Sequence, residues 1–270
     1  TAANYDGRSV VQTESYGPEA RGGYSRSDVR GRVMPTPDPA ASFATGFGNG
    51  VAMGQAIAAR KAQNLAFKAC MYQLGWNDKK PKGFVFTARE GTQDLLKAMG
   101  NLVGGNEAGF LAPETVFEKE SDERWFVVFE FNPIGYVKDD EKDKLDPAAL
   151  LKGFQEGNVR ANKEREKLGY EKLELAGWAV EPHYDEKTNN LEWGLLLRSG
   201  KGHETVNYEI RLLGRKGVMQ CTLVLGPKEL EAGLPRFRSL LGGYTYKTGE
   251  RYAEYRAGDT IAKYGLIGLL

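Results

Sequence analysis

Apolar residues in the last two-thirds of the chain alternate between strand spacing and helix spacing. Trp125-Phe-Val-Val-Phe-Glu-Phe131 is aromatic and β-branched, the composition of a strand covered on most of both faces. Val206, Tyr208, Ile210 and Leu212 alternate with Thr205, Asn207, Glu209 and Arg211, which predicts a strand with one buried and one wetted face. Residues 173–184 and 191–198 also have strand character, and Asp185-Glu-Lys-Thr-Asn-Asn190 between them is a connection of hairpin type. Gly214-Arg-Lys-Gly217 then turns the alternating strand into another at 218–225.

Helical spacing appears three times in the same region. Thr87 and Glu90 stand at capping-box spacing ahead of Leu95, Leu96 and Met99, predicting a short helix that stops at Gly100. Asp146-Pro147 puts a capping carboxylate before a proline whose missing N–H costs nothing at the first helical position. Leu150, Leu151, Phe154, Ala161 and Leu168 carry that helix's inner stripe to Gly169. From Pro227 the stripe Leu230, Leu234, Phe237 and Leu241 predicts a third helix, kinked or split at Pro235. Sequential hairpins with helices before and after define an α+β domain with an antiparallel sheet, and the helix after the 125–131 strand leaves a mixed sheet open.

The first third has a different texture. Residues 1–39 are rich in Gly, Pro, Ser and Arg and end in Pro35-Thr-Pro-Asp-Pro39, which blocks helix and central strand alike and reads as an irregular segment with a linker. Residues 40–80 are small and apolar, with Gly46, Gly50 and Gly54 on one face of a helix, where they allow a second backbone to approach closely. A shift after Asn77-Asp-Lys-Lys-Pro81 opens the domain assigned to 81–270. Its end, Tyr264-Gly-Leu-Ile-Gly-Leu-Leu270, is apolar and reads as either the opening turns of a membrane anchor or a frayed tail.

Composition narrows the function classes. With 37 Lys and Arg against 36 Asp and Glu, the formal net charge of +1 gives no bulk electrostatic case for a nucleic-acid partner. A 41% hydrophobic and 27% charged composition is that of a folded protein. Cys70 and Cys221 are too few for a four-thiolate metal site and read as buried, inert thiols.

Four groups of residues are candidates for chemistry. Glu181-Pro-His183-Tyr-Asp185 gathers two carboxylates and an imidazole at a strand end, and alternation places Glu181, His183 and Asp185 on one face. That set suits proton transfer in a hydrolase or cation-dependent enzyme, and it equally suits a solvated hairpin end. Tyr244, Tyr246 and Tyr252 beside Arg251 could stack on bases or saccharides, although packed tyrosines with basic neighbours are the commoner outcome. Lys138-Asp-Asp-Glu-Lys-Asp-Lys144 lacks the alternating acids and central glycine of a calcium loop. His183 and His203 lack the spacing of paired helical ligands, so no metal site is expected. Gly100-Asn-Leu-Val-Gly-Gly105 follows a helix instead of joining a strand to one, so it reads as a cap and no cofactor is expected.

Several strings are nevertheless recognisable. Trp125-Phe-Val-Val-Phe-Glu, Gly135-Tyr-Val-Lys-Asp-Asp-Glu-Lys142, Gly177-Trp-Ala-Val-Glu-Pro-His-Tyr-Asp185, Arg211-Leu-Leu-Gly-Arg-Lys-Gly-Val218 and Ala262-Lys-Tyr-Gly-Leu266 occur in order along residues 81–270. That region resembles a bacterial family of uncharacterised membrane-anchored proteins. The resemblance implies an export signal upstream, a hydrophobic anchor beginning near Tyr264 and a place in the cell envelope, and it brings no catalytic residues. Residues 5–29, through Val10-Val-Gln-Thr-Glu-Ser-Tyr-Gly-Pro-Glu-Ala-Arg-Gly-Gly23, resemble a piece of the 2-oxoacid:ferredoxin oxidoreductase gamma subunit. Ala66-Phe-Lys-Ala-Cys-Met-Tyr-Gln-Leu-Gly-Trp76 is similar to the ends of small envelope lipoproteins. Three unrelated resemblances in one chain imply a mosaic sequence.

These features lead to an expected non-enzymatic envelope protein that binds or organises a partner beside a membrane. An enzyme using His183 with nearby carboxylates is the first alternative. A structural assembly protein that forms homo-oligomers through the Gly46/Gly50/Gly54 face is the second.

Overall fold

A computed structural model describes residues 82–117 and 124–270. They form seven strands: β1 (Phe84–Ala88), β2 (Glu107–Pro113), β3 (Phe126–Asn132), β4 (Leu173–Asp185), β5 (Asn190–Ser199), β6 (Glu204–Leu213) and β7 (Val218–Leu225). Three α-helices accompany them: α1 (Arg89–Ala98), α2 (Pro147–Lys167) and α3 (Leu230–Leu241). The strands make one sheet in the order β1-β2-β3-β7-β6-β5-β4, and every neighbouring pair is antiparallel. The architecture is α+β, and the mixed-sheet alternative gives way: the one parallel pairing among the described residues is an isolated bridge, Tyr136 to Ile261.

Helices cover both faces of the sheet. On one face, Leu95 and Leu96 of α1 pack on Phe110, Phe126 and Val128, while Phe154 of α2 packs on Trp193 and Leu195. On the other, Phe237 and Leu241 of α3 lie against Phe129, Tyr208, Ile210 and Cys221. Burial of these large side chains from both directions is the main stabilising term of the fold.

The expected wet face of β6 is buried. Asn207 and Glu209 are at most 1% exposed and Thr205 and Arg211 7%, because this side of the sheet meets polar cross-strand neighbours under the α1 and α2 layer. Glu209 accepts a 2.7 Å hydrogen bond from the Thr222 hydroxyl, Arg211 donates to Gln220, and the Arg211 guanidinium sits 5.3 Å from the Trp193 ring centroid. Along β6 the alternation therefore separates two buried sides, Val206, Tyr208 and Ile210 on one and Asn207, Glu209 and Arg211 on the other.

Two helix starts behave differently. Asp146 caps α2, its Oδ1 accepting from Ala148 N at 3.0 Å and Ala149 N at 3.2 Å. The Thr87–Glu90 capping box is not formed: Thr87 belongs to β1, Ala88 occupies the N-cap, and the Thr87 hydroxyl pairs with that of Thr92 at 2.9 Å. On α2, Leu168 is 54% exposed and leaves the inner stripe, while Arg165 is fully buried. Its Nε donates to Glu171 O at 2.6 Å, and burial draws its guanidinium down to about 10. Asn162 of the same helix bonds both the N–H and the C=O of Leu173, closing the start of edge strand β4. Helix α3 runs unbroken through Pro235; the break falls earlier, after a 3₁₀ turn at Pro227–Glu229.

The C-terminal residues dock on the domain. Thr260 O and Ala262 N bond the backbone of Tyr136 at 2.8 Å each, and Asp259 forms a bidentate pair with Arg215 at 2.6 Å. Leu266 is fully buried, and Glu141 accepts from Ile267 N at 3.0 Å. Residues 259–267 are thus held against the domain at Asp259, Thr260, Ala262, Leu266 and Ile267. Among the described residues no helix is long and apolar enough to cross a membrane.

Candidate functional site

The β4–β5 hairpin, the C-terminal end of α3 and the 242–253 segment enclose a pocket of about 1020 Å³. Its rim begins at the hairpin turn. Asp185 Oδ1 accepts from Lys187 N at 2.8 Å, a bond that holds the Asp185 carboxyl below its ordinary range, and Asn189 adopts the left-handed φ of 55°. Ile210, Leu212 and Leu213 of β6 line the apolar part of the pocket.

The opposite wall is fixed by pinned tyrosine hydroxyls. Tyr246 donates to Leu212 O at 2.8 Å and accepts from Met219 N at 2.9 Å, and its ring lies over Gly214, where a Cβ would come within 2.5 Å of it. Gly214 is required by that close approach. Tyr252 donates to Val137 O at 2.9 Å and stacks on Tyr136 with centroids 4.6 Å apart. Burial pushes the Tyr246 and Tyr252 phenols well up, so both stay protonated donors. Tyr184, on the hairpin wall, donates to Asp139 at 3.1 Å and is pushed up to about 12, burial being the largest cause.

At the centre lies a carboxylate that sequence reasoning missed. Glu192, with a side chain only 6% exposed, accepts from the Tyr208 hydroxyl at 2.6 Å and from Arg238 Nη2 at 2.9 Å. His183 Nε2 stands 3.8 Å from the same oxygen, and its Nδ1 lies 3.1 Å from Glu181 O. The hydrogen bond to Glu192 raises Arg238, while burial raises Tyr208. Nothing local in Leu191-Glu192-Trp193 marks this role; the cluster exists only once β5 pairs with β6 and α3 crosses them.

The predicted site residues separate accordingly. His183, Asp185, Tyr244, Tyr246, Arg251 and Tyr252 all line this pocket. Glu181 does not, because β4 slips register between Val180 and His183 and takes it out of the alternation that would align it. The 138–144 acids also stay outside: Asp139 serves Tyr184, Glu141 the tail, and Lys142 pairs with Glu186 at 3.0 Å. His203 occupies the far end of β5, beside Ser199. Among the described residues no group of three or more His, Cys, Asp or Glu side chains is placed to hold a metal ion. Cys221 is buried in β7 and its thiol is pushed well up by that burial, which leaves it unreactive. Cys70 and the Gly46/Gly50/Gly54 face lie outside the described residues.

What the sheet, its two helical layers and this pocket define is an α+β domain with a cleft whose buried carboxylate, Glu192, is ion-paired with Arg238. Residues 78–270 match the family described as protein of unknown function DUF2167, and the chain belongs to that family. No curated protein matches the sequence significantly. Among solved structures, the solution structure of cyanobacterial PsbP (CyanoP) from Synechocystis sp. PCC 6803 is similar at 10% identity and a TM-score of 0.36, over 62% of this chain and 84% of that one.

Proposed function

We propose that the domain is a non-enzymatic binding module of the bacterial envelope, working beside a membrane, with the hairpin pocket as its binding site. The observation that carries this reading is the state of Glu192: the pocket's buried carboxylate is committed to Tyr208 and Arg238. Its use is to hold Arg238, whose side chain remains 53% exposed, as a recognition group. Of the carboxylates expected to arm His183 for hydrolysis, Asp185 lines the pocket but accepts from Lys187 N at 2.8 Å, and Glu181 and the 138–143 group are outside the lining. The envelope location rests on the family resemblance, and the module needs neither cofactor nor nucleic acid.

The test is thermal unfolding of the full chain with a panel of sugars, short peptides and small carboxylates. One of these classes is expected to raise the wild-type Tm, and Arg238→Gln to abolish that rise. A catalysed turnover lost in His183→Ala at unchanged Tm would instead establish the 3.8 Å His183–Glu192 pair as a working dyad and overturn the binding reading.

A further inference from the structure

Each Asp, Glu, Lys and Arg that lines the hairpin pocket stands beside an opposite charge. Glu192 is bound by Arg238 at 2.9 Å and Glu186 by Lys142 at 3.0 Å. The Asp185 carboxyl is lowered by the Lys187 N–H and also by the Lys187 charge, and the Glu254 carboxyl by the Arg251 N–H and also by the Arg251 charge. A ligand that enters the pocket therefore meets no surplus of either sign. An ionic ligand would face like charges as often as opposite ones, and like-charge contacts are costly.

What the pocket offers is an apolar floor with a hydrogen-bonding rim. Ile210, Leu212 and Leu213 form the floor, with Leu241 beside them. Arg238, with 53% of its side chain exposed, lines the same space as His183 and Asn190, and together they present donors and acceptors. Strands β5 and β6 are each paired on both sides, so an extended peptide finds no free strand edge there. An acyl chain would cover Arg238 and His183 without replacing their hydrogen bonds to water, at a cost for each group. The volume of about 1020 Å³ stands at the top of the range of roughly 300–1,000 Å³ typical of small-molecule sites, which leaves room for more than one ring.

We propose that the ligand of this pocket is an uncharged oligosaccharide. The proposal rests on the pocket reading above and names the ligand class of that site. A pyranose ring carries C–H groups on its faces and hydroxyls around its edge, so its faces suit the β6 floor while its hydroxyls meet Arg238, His183 and Asn190 on the rim. Glu192 fixes the Arg238 guanidinium, whose planar fork of N–H groups reaches two neighbouring hydroxyls at once. With no charge on the ligand, added salt has little to screen.

The experiment is binding of the full chain to an array of neutral, uronate and sulfated glycans, followed by titration calorimetry with the strongest array ligand in soluble form and with its single sugar. Neutral glycans of two or more units are expected to bind, roughly tenfold more tightly than the single sugar. Their affinity is expected to change by less than about twofold between low and high salt. Arg238→Lys, which keeps the charge and loses the fork, is expected to weaken binding about tenfold, and Asn190→Ala about threefold. Circular dichroism melting of each variant separates loss of the site from loss of fold. Affinity unchanged in folded variants overturns the proposal by placing the glycan elsewhere. Binding confined to uronate or sulfated glycans, or an Arg238-dependent thermal shift with peptides or carboxylates and none with neutral sugars, overturns the saccharide class and leaves the pocket as a binding site. Absence of binding to any glycan also overturns it, and the pocket reading is then judged by its own Arg238-dependent thermal shift.

Discussion

Glu130 shows how a single side chain sets a pH dependence. It lies on β3 opposite Gln220 of β7, within the polar interior face. Burial, followed by the Glu107 and Glu209 carboxylates, pushes it up from 4.5 to about 8, against the pull of Arg211. The folded protein therefore holds a proton that the unfolded chain releases, and stability falls as pH rises from 4.5 to about 8. Glu130→Gln is expected to remove that slope and to raise stability at pH 8 by on the order of 3 kcal/mol, read by urea unfolding at pH 5 and pH 8. Equal destabilisation at both pH values would show that the site needs the carboxylate. Glu107 accepts from Gly104 N at 2.5 Å, Gly105 N at 2.8 Å and Gln93 at 3.0 Å, and these bonds organise the turn before β2.

Among the elements, those with one dominant local signal were readable in the sequence. Asp146-Pro147 specifies the start of α2 by chemistry confined to four residues, and Asp146→Ala is expected to cost about 1 kcal/mol in chemical denaturation. No loss would mean that packing alone fixes that helix end. The 125–131 run and both strands of the β4–β5 hairpin were readable for the same reason. Strands β1 and β2 were not. β2, Glu107-Ala-Gly-Phe-Leu-Ala-Pro113, carries a glycine and a proline that lower strand propensity. Its Gly109 is explained only by tertiary packing, since a Cβ there would lie 2.6 Å from the Phe86 ring. The β6 alternation gave the strand correctly and its surroundings incorrectly, because periodicity reports that two faces differ and is silent on what covers each.

At the scale of the whole molecule, the pocket joins parts of the chain that no local pattern connects. The tyrosines of 244–252 and His183 were identifiable as types worth watching, whereas Glu192, Tyr208 and Arg238 become a cluster only through sheet register and the crossing of α3. The same assembly excludes Glu181 through one slip in register on β4. The proposed recognition site combines a hairpin rim, an apolar floor and an arginine held by a buried acid. Native mass spectrometry of the full chain released gently from a bacterial envelope tests this most directly. A bound species of a few hundred daltons is expected on the wild type and absent from folded Arg238→Gln; a wild type that carries nothing, or an adduct indifferent to Arg238, would contradict the account.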